Sequence, residues 1–184
     1  MIRIISGSNK GRKIIAPQNL PARPTTDFAK QALFNILEND WDLSEVRFLD
    51  LFAGTGNISY EMASRGCKNI MAIDNDFHCV EFIKKTALNL KMDGIHAIKK
   101  EVLSFLNQPS NETFDLIFAD PPYTYDAYPT LIEKILNGNY LNQDGVFILE
   151  HSAAHKFNSN PCILEHRNYG KVNFSFFKRG EKKD

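Results

Sequence analysis

The sequence predicts an α/β fold: a mostly parallel sheet with helices on both faces, preceded by a β-hairpin and a helix. Three observations predict it. From residue 46 onward, short apolar runs alternate with amphipathic stretches of helical length, the pattern that buries parallel strands between two layers of helices. Several of those runs end in Gly-rich, acidic or Pro-rich turns, as strands do where an open sheet binds its ligand. The chain then closes on two strand-like runs, 162–167 and 172–178, spaced to pair as a hairpin and to give the sheet an antiparallel edge strand.

Each element follows in order. Residues 2–6 and 11–16 read as two short strands about a turn containing Gly7 and Gly11. A link containing Pro17, Pro21 and Pro24 leads to Thr25-Thr26-Asp27, residues suited to capping a helix, with Ala29, Leu33, Phe34 and Leu37 at helical spacing behind them. Residues 1–40 are therefore expected to form an extension on a domain of residues 41–184. In that domain, strands are expected at 46–52, 69–73, 95–98, 114–119 and 146–151, which with the closing pair makes seven. Helices are expected at 58–65, closed by Gly66, at 77–91 and at 127–136.

Composition narrows the class. The 184 residues are 43% hydrophobic and 24% charged, ordinary for a water-soluble domain. No apolar run approaches the roughly 18–20 residues that span a bilayer, and the first residues lack the apolar core and cleavage site of a signal peptide. Cys67, Cys79 and Cys162 are far apart and form no C-x-x-C. A disulfide framework or zinc ribbon is not expected, and a cytoplasmic protein is. Net charge is zero but unevenly spread. Residues 1–30 carry Arg3, Lys10, Arg12, Lys13, Arg23 and Lys30 against the single acid Asp27, the last fourteen residues are also basic, and the middle is acidic. Basic ends on an acidic body point to a polyanionic partner.

Three strand ends carry the chemistry. Asp50-Leu51-Phe52-Ala53-Gly54-Thr55-Gly56-Asn57 is a strand running into a turn that lets a ligand approach the backbone. A dinucleotide fingerprint wants Gly or Ala three residues after the second glycine, where this chain has Ser59. Asp50 would sit badly beside phosphates and well beside a cationic amino group. Asp74, closing the next strand, suits the two hydroxyls of a ribose, while Asp76 suits a helix cap. Asp120-Pro121-Pro122-Tyr123 sets a carboxylate and a carbonyl side by side, stiffened by two prolines and followed by an aromatic ring. That combination can hold an amino group on a flat ring. A ribose and a cationic amino acid without phosphate describe S-adenosylmethionine.

These motifs resemble those of amino-group methyltransferases of the Rossmann-like class. The D-P-P-Y motif alone is shared with enzymes acting on adenine, cytosine or protein glutamine. The N-terminal runs Arg3-Ile4-Ile5-Ser6-Gly7, Lys10-Gly11-Arg12-Lys13, Arg23-Pro24-Thr25-Thr26-Asp27 and Ala32-Leu33-Phe34-Asn35-Ile36-Leu37 resemble the RsmD family, which methylates N2 of a guanine in bacterial small-subunit ribosomal RNA. The resemblance implies a Rossmann-like S-adenosylmethionine-dependent methyltransferase fold and a monomer acting on ribosomal RNA, free or within a small-subunit particle. It implies catalytic roles for Asp120, Pro121, Pro122 and Tyr123. Cofactor contacts would come from Asp50, Phe52, Gly54, Gly56, Asn57, Asp74, Asn75, Glu101 and Val102. RNA contacts would come from Arg3, Lys10, Arg12, Lys13, Arg23, Thr25 and Thr26. The chain departs from the family pattern at Phe28, Gln31, Asp74 and Glu101. A methyltransferase for another base or for glutamine, and a catalytically silent RNA-binding relative, are the alternatives.

Overall fold

The computed structural model describes residues 1–17, 20 and 25–180. Its main sheet is built from β3 (Arg47–Leu51), β4 (Asn69–Asp74), β5 (Ile95–Lys99), β6 (Phe114–Ala119), β7 (Leu141–His151), β8 (Ile163–Tyr169) and β9 (Val172–Lys178). The order across it is β5-β4-β3-β6-β7-β9-β8. The first five strands are parallel, and the expected antiparallel edge is the β8–β9 hairpin, in which β9 inserts between β7 and β8 and runs against both. The strand order reverses between β3 and β6, so a crevice is expected beyond their carboxyl ends.

Strict alternation along the strands fills both faces. Phe48, Ala72, Leu116, Phe118 and Ile148 point to one side, against α1 (Asp27–Asp40), α2 (Asn57–Ser64) and α3 (Phe77–Leu90). Leu49, Leu51, Ile73, Ile117, Ala119 and Leu149 point to the other, against α4 (Val102–Leu106) and α5 (Tyr128–Asn137). A strand buried on both faces reads as a continuous apolar run, which is why these strands were legible. Helix starts follow their caps: Thr26 accepts from the Ala29 N–H at the start of α1, and Asp76 from the Cys79 N–H at the start of α3. Among the described residues no helix is long and apolar enough to cross a membrane.

The N-terminal strands and β7 depart furthest from expectation, and one helix was not expected. The N-terminal strands shrink to β1 (Ile2–Arg3) and β2 (Lys13–Ile14), because the N–H groups of Ile5 and Ser6 leave the ladder and donate to Glu61 at 2.8 and 3.0 Å. β7 begins five residues early, at Leu141, through the polar run Asn142-Gln143-Asp144-Gly145. A register shift opposite Phe114 and Leu116 absorbs this stretch. Helix α4 has five residues, too few for any periodicity to show.

The hairpin does not hang free. Ile2, Ile4 and Ile14 are buried in the core under α1 and α2. Gly7 has a φ of +79°, and a Cβ there would lie 1.8 Å from the Ser64 carbonyl oxygen, so only glycine permits this close approach. Lys30, on the inner side of α1, is fully buried; its ammonium donates to the Arg3 carbonyl at 2.7 Å and the Asn57 Oδ1 at 2.8 Å and pairs with Glu61 at 3.3 Å. The hairpin thus lies along α2, with its turn at the far end from the strands' carboxyl edge.

Candidate active site

The carboxyl edge of β3, β4, β6 and β7 gathers four acids on one face. Asp50 pairs with Ala72 on β4 and with Phe118 on β6, and Phe118 pairs with Ile148 on β7. Side chains two residues apart on a strand share a face, so Asp74, Asp120 and Glu150 project to the side of Asp50.

After β3 the chain takes three left-handed conformations in five residues: Phe52 (φ 59°), Gly54 (φ 53°) and Gly56 (φ 79°). Glycine adopts these freely, but Phe52 carries strain of roughly 1–3 kcal/mol, a feature concentrated at functional turns. The Phe52 ring meets Tyr125 edge-on at 5.2 Å, and Tyr125 meets Tyr128 at 5.3 Å, linking this turn to the exit of β6. Asp74 fastens the turn from the neighbouring strand: its carboxylate accepts from the Gly54 N–H at 2.7 Å and from the Asp76 N–H at 2.9 Å. Burial raises the Asp74 carboxyl above its ordinary range, opposed by those backbone bonds. Asp50 lies beneath the turn, accepting from the Ser59 hydroxyl at 2.5 Å. Burial pushes it up to about 7.

At the exit of β6 the two prolines do more than stiffen. An Asp at a turn ordinarily accepts from a backbone N–H two residues on, but Pro121 and Pro122 have none. Among the described residues the Asp120 carboxylate accepts no hydrogen bond, and only its backbone is tied, N–H to the Leu51 carbonyl at 3.4 Å. Its pKa stands well above the ordinary carboxylate range, through burial first and then the charges of Glu150 and Asp50. Asp120, Pro121, Tyr123, Tyr128 and Glu150 line one narrow cleft, and Tyr123 stands exposed at its rim. A larger cavity of about 450 Å³ lies beside the starts of β4 and β5, away from all of these groups. It is lined by Ser8 and Asn9 of the hairpin turn together with Lys68 and Lys91.

The remaining expected residues divide. Asn75 is exposed beside Asp74, and Glu101 is exposed while capping α4 through the N–H groups of Leu103 and Ser104. The Val102 side chain is buried in the core with Leu49 and Ile73, and its backbone N–H, at a helix start, finds no acceptor among the described residues. The Asn57 amide is engaged within the protein: Oδ1 accepts from Lys30 and Nδ2 donates to the Thr25 carbonyl. Thr25 and Thr26 are engaged within the protein as well. The Thr25 hydroxyl is buried and donates to Glu150 Oε2 at 2.8 Å, and the Thr26 hydroxyl caps α1. Lys30, counted among the basic residues of the N-terminus, is buried and meets no polyanion. Arg3 pairs with Asp27 at 2.9 Å, and Lys10, Arg12 and Lys13 all lie exposed along the hairpin. Arg23 lies outside the described residues. Sequence reasoning missed Glu150. Its signal was an acid two residues beyond Ile148, directly after the apolar run Val146–Leu149 and on the face that holds Asp50.

Comparison with known proteins places the chain in a family. The ribosomal RNA small subunit methyltransferase D of Haemophilus influenzae is 34% identical over 152 residues, covering 81% of this chain and 78% of that protein. A family model described as "Conserved hypothetical protein 95" matches residues 2–178. The chain belongs to the RsmD family. Among solved structures, the hypothetical protein TTHA0928 of Thermus thermophilus matches this RsmD-family chain with a TM-score of 0.82 at 27% identity, covering 97% of this chain and 99% of that one. The 16S rRNA N2 G1207 methyltransferase RsmC of Thermus thermophilus matches with a TM-score of 0.71 at 18% identity, over 88% of this chain and 45% of that one. The RsmD-family chain therefore has the Rossmann-like methyltransferase fold.

Proposed function

We propose that the chain transfers a methyl group from S-adenosylmethionine to the exocyclic N2 amine of a guanine in small-subunit (16S) ribosomal RNA. The observation that carries this reading is the Asp120 carboxylate, stripped of backbone donors by two prolines and set beside an exposed Tyr123 in a family whose Haemophilus influenzae member is named for this RNA. When bound, S-adenosylmethionine supplies an activated methyl carbon on a sulfonium.

The donor set fits that cofactor. Asp74 and Asn75 would hold the ribose, Glu101 and the Val102 N–H would hold the adenine, and the turn from Phe52 to Gly56 would let the cofactor approach the backbone. Asp50 favours a cationic amino group from beneath that turn. The guanine leaves its stack to enter the cleft, where Tyr123 stacks on it and Asp120 and the Pro121 carbonyl accept its two amine N–H bonds. The nitrogen lone pair, otherwise delocalised into the ring, is thereby aimed at the methyl carbon. Such positioning contributes up to roughly 7–11 kcal/mol. The nitrogen that gains the methyl group loses a proton, which Asp120 accepts. Residues 1–40 serve as the RNA-docking extension of a cytoplasmic monomer, with Arg3, Lys10, Arg12, Lys13 and Arg23 on flanking phosphates.

The direct test incubates the protein with labelled cofactor and small-subunit RNA, naked or in particles from cells lacking the activity, and maps the label. A guanine N2 is expected to carry it; label on another base, on protein glutamine or nowhere overturns the reading. Replacing Lys10, Arg12 and Lys13 together by Glu should weaken RNA binding and flatten its salt dependence by about one unit of slope for each phosphate no longer met. Cofactor affinity should be unchanged, and an unaltered RNA salt slope would remove the hairpin from the interface.

A pH dependence follows from Asp50. Its folded-state pKa, about 7, is raised above the usual carboxylate value by burial. In the unliganded protein, the stability this group contributes is full below its unfolded pKa and is lost as pH rises through about 7. A cationic ligand favours the ionised form, so binding below that point expels a proton, and cofactor affinity should rise as pH increases through it. Titration calorimetry in two buffers of different ionisation heat should give different binding enthalpies on the acid side. Equal enthalpies would exclude proton release.

A further inference from the structure

This inference rests on methyl transfer to guanine N2 and concerns a residue outside the D-P-P-Y motif. On the parallel pair β6–β7, Ala119 stands opposite Leu149. One residue further, Asp120 and Glu150 lie side by side on one face, on strands about 4.8 Å apart, and both line the cleft that Tyr123 rims. Glu150 is buried, and only half of its carboxylate is used: Oε2 accepts from the Thr25 hydroxyl at 2.8 Å. Among the described residues Oε1 accepts no hydrogen bond. A buried acid left half-satisfied beside a second acid is costly unless donors arrive with a ligand. Burial pushes Glu150 up to about 7, so a donor that arrives at Oε1 also favours its ionised form.

The Watson–Crick edge of guanine presents two neighbouring donors, N1–H and the N2 amine. Adenine and cytosine present an acceptor nitrogen beside their amine. A flipped base is read along this edge. We propose that Glu150 accepts the guanine N1–H while Asp120 holds the N2 amine, so that the carboxylate pair selects guanine. Thr25 is the positioning residue: its hydroxyl turns Oε1 toward the cleft and links the start of α1 to base selection.

The test compares an RNA fragment carrying the mapped guanine with the same fragment carrying 2-aminopurine there. 2-Aminopurine keeps the amine but has an acceptor at N1. The wild-type protein should prefer guanine by about 100-fold or more in kcat/KM, because the analogue leaves a buried acceptor facing another acceptor. In Glu150→Gln the amide can serve either base, and that preference should fall about tenfold or more, with S-adenosylmethionine binding retained as the check on folding. Thr25→Val, which leaves Glu150 in place but unoriented, should lower the preference by less. An unchanged guanine to 2-aminopurine ratio in both variants overturns the role of Glu150. A wild-type protein that methylates no RNA guanine overturns the proposed function itself, so the two failures are distinguishable.

Discussion

Asp120→Ala is expected to slow single-turnover methyl transfer by roughly 10²–10³-fold, about 3–4 kcal/mol of transition-state stabilisation, while S-adenosylmethionine binding changes little. The carboxylate lies across the cleft edge from the Gly-rich turn and contributes nothing to it: its backbone N–H meets the Leu51 carbonyl, and its side chain accepts no hydrogen bond among the described residues. Removing it therefore orphans no protein donor. It also removes a buried acid that Glu150 and Asp50 both repel, so the variant's melting temperature should hold or rise. Unchanged or higher stability with lost transfer would mark the site as one where stability is given up for function. Asp120→Asn keeps an acceptor but not the charge, and should fall between wild type and Asp120→Ala, since a charged acceptor makes the stronger bond. Rapid-quench kinetics with saturating cofactor, paired with calorimetry and a thermal melt, read all three quantities. Near-normal transfer by Asp120→Ala would remove the carboxylate from the chemistry.

How much of this was legible in the sequence depended on whether the deciding interaction was local. The strands that carry Asp50, Asp74 and Asp120 are buried on both faces and announce themselves as apolar runs, and the glycines of the turn after β3 reflect backbone conformations that glycine adopts best. The caps Thr26 and Asp76 act within three residues, so their sequence signals are local too. What escaped were long-range partnerships. Thr25 and Glu150 are 125 residues apart, and Lys30 meets Asn57 at a separation of 27, so nothing near either residue in the chain reveals its partner. Lys30 was counted among the surface bases of the N-terminus for the same reason. Lys30 raises the local charge, but it stands four and seven residues before Phe34 and Leu37, on the buried stripe of α1. That spacing favours burial over solvent, and burial of an ammonium demands an acid somewhere. Glu61, three residues after Ile58 on the inner side of α2, is that acid.

Glu61→Ala is accordingly expected to destabilise the fold by about 3–5 kcal/mol, the usual cost of leaving one partner of a buried ion pair uncompensated. The carboxylate is fully buried and serves four donors: the Ile5 and Ser6 N–H groups at 2.8 and 3.0 Å, Arg65 Nε at 2.9 Å and Lys30 Nζ at 3.3 Å. Removing it takes this acceptor from all four, and leaves Lys30 only the uncharged Arg3 carbonyl and Asn57 Oδ1. Lys30 suffers most, because burial already lowers its pKa and Glu61 is the main group opposing that shift. Arg65 keeps Glu38 at 2.6 Å and the face of Phe34, so it is partly compensated. The loss should be measured as a lowered urea midpoint with an unchanged slope, and amide exchange at Ile5 and Ser6 should speed up before that of the central strands. Lys30→Met, which fills the space without a charge, leaves Glu61 with its three other donors and should cost less. This comparison bears on how the extension relates to the rest of the chain. If Glu61→Ala costs as much as expected, the hairpin is part of the cooperative core, its RNA contacts can be tested only by surface charge changes, and deleting residues 1–26 would unfold more than an RNA-binding face. A loss below about 1 kcal/mol, the range of an exposed pair, would instead make the hairpin separable from the catalytic body.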